Sequence, residues 1–220
     1  MEDAVEQYRR DRDPREKLFG FGRCMVHFAV DDSEVRMCTE LKCKTCWILP
    51  FNKGWNDGAG NPPNPTGTKN DCLWKEILTP ASLTNILENY AQIVEVKTSK
   101  TGRKKLTQIF PRYHQLGVVR ELLADVGEHG VGKRYLVQQS AGSGKSNSIA
   151  WLAHQLVRVR HKGEEVFDSV IVVTDRRILD DQLQKTVKQF TTTKPTPRHS
   201  RTTIAPRSSA MRRTRINSTA

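Results

Sequence analysis

The sequence predicts an α/β fold with a parallel sheet, and three observations lead to it. A glycine-rich segment, SAGSGKS at 140–146, follows an apolar run and precedes an amphipathic stretch. A second apolar run, SVIVVT at 169–174, is almost entirely β-branched, which is typical of a parallel strand buried on both faces. A helical pattern follows at 175–190. Strand, loop, helix, strand and helix in this order predict a βαβα unit with a right-handed crossover.

The first third of the chain has a different pattern, which predicts β-hairpins. RCMVHFAV at 23–30 and EVRMCTEL at 34–41 alternate apolar and polar residues around the turn DDS. A third apolar run, CWILPF at 46–51, comes next. The segment 52–70 is rich in Gly, Pro and Asn, so it predicts a long exposed loop or a domain boundary.

A short helical region is expected to connect these two parts. Asp71 is placed to cap a helix over CLWKEIL, and Thr79 to cap a second helix that has Pro80 at its first position. The segment VKTSKTGRKK at 96–105 predicts a basic turn or linker.

The elements of the α/β part follow in order. Pro111 is expected to open a helix that runs to about Val126, and RYLVQQ at 134–139 predicts the strand that enters the glycine-rich loop. Apolar spacing then predicts inward faces for the two later helices, at Ile149, Leu152, Ala153, Leu156 and Val157 in the first and at Leu179, Leu183 and Val187 in the second.

The last thirty residues carry much of the positive charge. The net charge is +12, and the segment 191–220 has no acidic residue. Its composition of Thr, Ser, Pro and Arg predicts a disordered basic tail. Such a charge excess favours nucleic acid, although a charge run is more often a solvated tail. The tail follows a well-formed helical pattern abruptly, which suggests a break in the reading frame.

The glycine-rich segment has the composition of a phosphate-binding loop. Gly142 and Gly144 let the backbone wrap closely round an anion, and the following helix directs its positive N-terminal end at it. Lys145 is expected to reach the β- and γ-phosphates of ATP, and Ser146 to give a hydroxyl to Mg²⁺. Gln139 replaces the usual first glycine, a variation that the looser pattern of superfamily 2 helicases tolerates. The nucleotide site is predicted to include Ala141, Gly142, Ser143, Gly144, Lys145 and Ser146.

FPRYHQ at 110–115 lies just upstream of the loop and predicts a second nucleotide contact. A Gln amide can read the N6 and N7 edge of adenine, and Gln115 has that chemistry. Arg112 lies three residues before it and is predicted to belong to the same site. The competing interpretation is an ordinary helix start.

Two other patterns are given little weight. The triplets ELK at 40–42 and EVK at 95–97 have the E-x-K form of metal-dependent nucleases, but neither has the acidic partner strand that this chemistry needs. CKTC at 43–46 lacks a second close pair of ligands, so no metal site is predicted there. The charged N-terminus is not a signal peptide, and no apolar stretch is long enough to cross a membrane, so a cytoplasmic protein with reduced thiols is expected.

An ordered set of segments resembles the restriction (motor) subunit of type I restriction-modification systems. The resemblance covers residues 1 to about 190, and the segments that carry it are EQYRRDRDPRE, GRCMVHFAVDDSEVRMCTEL, LPFNKG, GAGNPPNP, FPRYHQL, QQSAGSGKSNSIAWLAHQL and VIVVTDRRILDDQLQ.

The resemblance implies a type I site-specific deoxyribonuclease, an enzyme that uses ATP and Mg²⁺ to pull double-stranded DNA and then cuts it. Its partners would be a methyltransferase and a specificity subunit, with no membrane. The expected organisation is the end of a RecB-like nuclease domain at 1–55, a loop and helical connector at 56–105, part of the first RecA-like ATPase domain at 106–190, and the tail at 191–220.

The resemblance also implies that much of the enzyme is not in this chain. Its nuclease E-x-K would precede Met1, and neither the acidic Mg²⁺-holding motif nor a second RecA-like domain follows Phe190. We therefore expect an inactive fragment. Two alternatives stay open: a basic nucleic-acid-binding protein with a vestigial phosphate loop, and a standalone P-loop kinase or regulatory ATPase.

Overall fold

The chain divides into two compact units, an N-terminal unit at Met1–His114 and a C-terminal unit at Gln115–Ala220. In this computed structural model both units mix helices with small sheets. The domain boundaries expected from the sequence at 55, 105 and 190 stay predictions. The residues that the structure describes are 1–56, 58–97, 104–174, 183–188 and 201–206.

A three-stranded antiparallel sheet forms the first part of the N-terminal unit, after helix α1 (Glu2–Glu6). Strand β1 (His27–Val30) pairs with β2 (Val35–Cys38), and β2 pairs with β3 (Leu49–Pro50). The predicted hairpin is therefore confirmed, and the third apolar run adds one more strand to it. The Asp31 carboxylate closes the turn by accepting the backbone N–H groups of Ser33 and Glu34, each at 2.8 Å.

A second hairpin, which the sequence did not predict, replaces part of the expected basic linker. Strand β4 (Gln92–Lys97) pairs in antiparallel register with β5 (Lys104–Ile109). The prediction of a turn or linker over 96–105 is thus wrong at both ends. The lysine-rich composition hid the strand pattern, because lysines are well tolerated where a strand is exposed to solvent.

Gln108 connects this hairpin to the first sheet. It lies on β5 with only 3% of its surface exposed, and its amide nitrogen donates to the backbone oxygens of Cys24 and Met25, both at 2.6 Å, and of Thr39 at 3.0 Å. Buried carbonyls need a donor when water is excluded. The two amide N–H groups of one side chain are therefore shared among three backbone oxygens from two separate segments.

An aromatic cluster fills the space on the other side of β1. Phe28 contacts Phe51 and Phe110 with ring centroids 5.1 and 6.0 Å apart, and Phe51 contacts Tyr113 at 5.6 Å. Edge-to-face pairs of this kind contribute beyond the apolar area they bury. The start of the FPRYHQ segment is thereby held in the core of the N-terminal unit.

The connecting region agrees in part with its predicted character. A π-helical turn at Leu73–Ile77 stands where a helix over CLWKEIL was expected, and Asp71 does not cap it, since its N-cap is Cys72 without a side-chain bond. The described part of the Gly-, Pro- and Asn-rich segment has no strand or helix beyond an isolated bridge between Trp55 and Gly58. Helix α2 (Pro80–Asn89) begins as expected, because the Thr79 side chain accepts the Ser82 N–H at 3.3 Å. Among the described helices, none has the length and apolar content needed to cross a membrane.

Two helices dominate the C-terminal unit. Helix α3 (Tyr113–His129) starts at the unit boundary and buries Leu116, Val119 and Val126, as its spacing predicts. Helix α4 (Lys145–Leu156) follows the glycine-rich loop. Ala153 and Val157 are buried as predicted, and Leu152 and Leu156 are half-buried. The prediction is wrong at Ile149, which is exposed, while Trp151 is fully buried.

The predicted strand at 134–139 does not form. These residues lie outside any helix or strand, and Leu136 is 94% exposed. The reason is that no described strand lies beside them. Instead, Asp125 of α3 holds the start of the segment by accepting from Lys133 Nζ at 2.8 Å and from the Tyr135 hydroxyl at 2.5 Å.

The remaining strands of the C-terminal unit are short. Strands β6 (Arg160–His161) and β7 (Glu164–Glu165) make a small hairpin. Strand β8 (Ser169–Thr174) confirms the predicted strand, but Ile171 and Val173 are more than 60% exposed, so burial on both faces was wrong. The short helical segment 183–188 buries Leu183 and Val187 as expected, whereas Leu179 lies outside the described residues.

Part of the expected disordered tail is a strand. Strand β9 (Arg201–Pro206) pairs in parallel with β8, from Ser169 opposite Arg201 to Thr174 opposite Pro206. The β-branched residues Thr202, Thr203 and Ile204 favour a strand when a neighbouring strand is present to pair with. Their run is short, so the polar composition of the whole segment led to the prediction of disorder. The wider parallel sheet is not seen among the described residues, and the rest of 191–220 lies outside them.

Replacing Gln108 with Glu is expected to destabilise the protein by about 3 kcal/mol or more, because a buried carboxylate would face three carbonyl oxygens with no donor. Urea denaturation of the full chain, followed by far-UV circular dichroism, measures this. Leu106→Glu is the matched control, since it places the same side chain on the same strand at a position that is 54% exposed. Equal effects of the two substitutions would contradict the role given to Gln108.

Candidate nucleotide-binding loop

Two glycines with positive φ angles give the glycine-rich loop its shape. Gly142 has φ of 74° and Gly144 has φ of 84°, a region that residues with a side chain avoid. Gly144 is the N-cap of α4, and its carbonyl accepts from Asn147 N at 3.0 Å and Ser148 N at 3.4 Å. The backbone N–H groups of Lys145 and Ser146 then have no acceptor within the helix. A helix end of this kind attracts anions.

Gln115 holds the loop in place from α3. It is 3% exposed, and its amide nitrogen donates to the carbonyl oxygens of Ser143 at 3.1 Å and Gly144 at 2.9 Å. The contact is so close that a Cβ atom on Gly144 would lie 2.3 Å from that nitrogen. The sequence predicted Gln115 as a contact to the adenine edge, and that role stays a prediction; in the structure its amide nitrogen donates to the loop backbone.

Lys145 folds back over the start of the loop. Its ammonium group donates to the carbonyl oxygens of Gln139 at 2.6 Å and Ser140 at 3.1 Å. The side chain is exposed, so these bonds compete with water. An incoming phosphate oxygen carries more negative charge than a carbonyl and forms a stronger, charge-assisted bond to the same ammonium group. The cation is therefore poised beside the loop, with neutral acceptors that an anion can displace.

The other predicted site residues fall into two places. Ala141 is exposed in the loop, Ser143 is buried beneath it, and Ser146 is half-buried in the first turn of α4. Arg112 belongs to the N-terminal unit, just before α3 begins. The described residues contain no group of three or more His, Cys, Asp or Glu side chains that could hold a metal ion. The role of Ser146 toward Mg²⁺ stays a prediction.

An apolar cavity of about 210 Å³ lies next to the loop. Its walls come from α3, from α4 and from the unpaired segment before the loop, and Lys145 and Gln139 border it. Pockets for whole ligands of drug size are usually larger, from about 300 Å³ upward. The cavity is smaller than that, and the glycine-rich loop itself presents an open surface beside it.

Sequence reasoning missed one residue that shapes the approach to the loop. Asp125 holds the segment before the loop through Lys133 and Tyr135. The pKa of Asp125 lies below its ordinary value, mainly because the Lys133 ammonium group bonds to the carboxylate and secondly because the Tyr135 hydroxyl does. Nothing in the sequence marks this acid, because an exposed Asp near the end of a helix looks like ordinary surface.

The nuclease-like triplets lie in the N-terminal unit and are already ion-paired. Glu40 lies in a bend after β2, with its carboxylate 2.5 Å from Lys42 Nζ and 3.6 Å from Lys105 Nζ. The Glu40 carboxylate raises the pKa of Lys42 above its ordinary value. Glu95 lies on β4 and pairs with Lys104 at 2.6 Å. Each carboxylate is thus neutralised by lysines.

A comparison with known protein families gives one match. The sequence model of the SWI2/SNF2 ATPase family matches residues 114–218, just under half of the chain. The match supports a superfamily 2 helicase-like ATPase region that begins at the start of α3 and includes the glycine-rich loop. It also extends over β9 and most of the expected tail. Searches of curated proteins and of solved structures gave no match.

The close approach of Gln115 to Gly144 makes a specific prediction. Gly144→Ala combines a left-handed backbone, which costs roughly 1–2 kcal/mol for a residue with a Cβ, with a clash against Gln115. Hydrogen exchange of the Asn147 and Ser148 amides, which donate to the Gly144 carbonyl, is expected to quicken by about tenfold or more. Gly142→Ala has the same backbone strain with nothing within 4 Å, so its effect is smaller.

The double variant Gln115→Ala, Gly144→Ala tests the cause of that effect. Removing the amide relieves the clash and leaves the backbone strain. The free-energy change of local opening in the double variant, taken from its exchange rates, is therefore expected to be smaller than the sum of the changes in the two single variants. Simple additivity would mean that Gln115 and Gly144 do not act on each other.

The ion-paired state of Glu40 leads to a prediction about nuclease activity. The purified chain is expected not to nick supercoiled plasmid, even with Mg²⁺ and ATP, because phosphodiester hydrolysis needs metal ions held in line with the scissile bond. The control is the double variant Glu40→Ala, Lys42→Ala. Nicking by the wild type that is lost in this variant would show that the triplet is catalytic.

Proposed function

We propose that this chain carries part of an ATP-driven DNA translocase of the kind found in the motor subunits of type I restriction enzymes. ATP would bind at the loop between Gln139 and Ser146. The observation that carries the proposal is the loop itself, which has two left-handed glycines, a lysine at the first helical position and a helix N-terminus behind them. The ATPase family match over the same residues supports it.

Different groups of the loop would make different contacts with the phosphates. The N–H groups of Lys145 and Ser146 would donate to phosphate oxygens, and the Lys145 ammonium group would leave the Gln139 and Ser140 carbonyls to reach the β- and γ-phosphates. Bound Mg²⁺ would offset the phosphate charge, and Ser146 is the residue placed to hold it. Gln115 acts as a positioning residue, since its bonds fix the Ser143 and Gly144 carbonyls.

The remaining parts of the proposal rest on the sequence resemblance. Arg112 keeps its predicted role as a nucleotide contact, double-stranded DNA is the substrate, and a methyltransferase and a specificity subunit are the partners. The excess of positive charge fits a polyanionic substrate. A cytoplasmic setting follows from these partners.

Replacing Lys145 with Ala is expected to weaken ATP binding by about ten- to a hundredfold, because a charge-assisted hydrogen bond is worth roughly 1.5–3 kcal/mol. Titration calorimetry with MgATP measures the affinity. Lys185→Ala is the control, since it removes another exposed lysine of the same unit that lies outside the loop and the segment before it.

Equal affinities of wild type and Lys145→Ala would contradict the nucleotide site. DNA binding that survives in this variant but is lost when the arginines of 207–215 are replaced would favour the alternative, a basic nucleic-acid-binding protein with a vestigial loop.

A further inference from the structure

Two buried thiols lie together in the N-terminal unit, away from the nucleotide loop. Cys38 is the last residue of β2, and Cys46 follows a single 3₁₀ turn at Cys43–Thr45. Both side chains are about 95% buried and form one cluster with Leu41, against which Tyr8, Phe19 and Ile48 pack. The turn therefore brings the second cysteine back onto the first.

The surroundings give the two sulfurs different roles. The neighbouring Cys38 thiol, through hydrogen bonding to a Cys46 thiolate, lowers the pKa of Cys46 to about 7 against the effect of burial, and the Lys42 N–H and the charges of Arg9 and Lys42 lower it further. The same bond and burial raise the pKa of Cys38. As a neutral thiol, Cys46 donates to the Glu40 carbonyl at 3.5 Å. Cys46 is thus the nucleophile of the pair, and Cys38 keeps its proton.

We propose that Cys38 and Cys46 are an oxidisable pair that closes an internal disulfide when the protein meets a peroxide. The Cys46 thiolate attacks one oxygen of hydrogen peroxide, so that an S–O bond forms, the O–O bond breaks and hydroxide leaves. The Cys38 sulfur then attacks the resulting sulfenic acid, the S–S bond forms and the S–O bond breaks. The two thiol protons convert both hydroxides into water, and two electrons pass from the thiols to the peroxide.

The pairing differs from the one that the sequence spacing indicates. CKTC resembles a redox pair of Cys43 with Cys46, yet the Cys43 side chain is exposed while Cys46 is buried. The other two cysteines are engaged elsewhere, Cys24 with the Val26 carbonyl at 3.0 Å and Cys72 near the Asn61 side chain at 3.9 Å. Folding, not sequence distance, selects Cys38 as the partner.

The disulfide would fasten the end of β2 to the turn that follows it. The closed loop contains Glu40 and Lys42, whose ion pair lies on the surface of the same bend. Oxidation would therefore restrict the bend without adding a charge. The same bond would be reopened by a thiol through exchange.

Tryptic peptides allow a direct test, because trypsin places the three nearby cysteines on separate pieces: 37–42 with Cys38, 43–44 with Cys43, and 45–53 with Cys46. The native full chain is treated with hydrogen peroxide, its free thiols are alkylated, and the digest is analysed by mass spectrometry without reduction. We expect a cross-linked peptide of 37–42 with 45–53 and the loss of two alkylatable thiols per chain. The cross-linked peptide is expected to disappear after treatment with dithiothreitol.

Two controls separate folding from sequence. Cys43→Ser is expected to leave the cross-link unchanged. Treatment of the urea-unfolded chain is expected to shift the product toward the link of 43–44 with 45–53, since those cysteines are nearer in sequence. Because the main measurement uses the wild-type chain, it does not depend on whether Cys38→Ser folds.

Three outcomes would overturn the proposal. These are a native product that links 43–44 with 45–53, a sulfinic acid on Cys46 beside an alkylated Cys38, and full alkylation of both thiols after peroxide treatment. Each would show that the buried pair does not react as a unit.

Discussion

The candidate site depends on the hydrogen bonds from one buried amide to the backbone of the glycine-rich loop. Gln115 lies on α3, while Ser143 and Gly144 lead into α4, so the two bonds fix the loop between the helices at the entry to α4. A buried carbonyl left without a donor costs roughly 1–3 kcal/mol, so an amide at this place has few substitutes. The missing side chain at Gly144 makes the approach possible. The Gln115 contact therefore requires a glycine at position 144.

This arrangement leaves the chemistry of the loop to its outer surface. The carbonyls of Ser143 and Gly144 face Gln115, so the N–H groups at the start of α4 and the Lys145 ammonium group are what an anion meets. In the structure the Lys145 ammonium group donates to two neutral carbonyl oxygens, those of Gln139 and Ser140. If a phosphate binds as proposed, the loop is already shaped for it, and only the Lys145 side chain has to move. Preorganisation of this kind lowers the cost of binding.

Local patterns predicted much of the structure, and long-range contacts account for the rest. The hairpin at 23–41, the Thr79 cap and the loop before α4 follow from alternation, capping and glycine placement within a few residues. The strand at 134–139 failed because a strand needs a neighbour, and local sequence does not say which one is present. Residues 96–105 were misjudged because lysines hide strand spacing. Gln115 was identified by type, but its target depended on how α3 meets the loop.

The exposed apolar side chains of the C-terminal unit have a consequence for how the protein behaves in solution. Ile171 and Val173 lie two positions apart on one face of β8, and each presents more than 60% of its surface to water. Adjoining exposed apolar side chains favour self-association. The net charge of +12 opposes this by mutual repulsion between molecules. Salt shortens the range of that repulsion to about 8 Å at physiological ionic strength. Colloidal stability therefore falls as salt rises, and DNA, by neutralising the same charge, would act in the same direction.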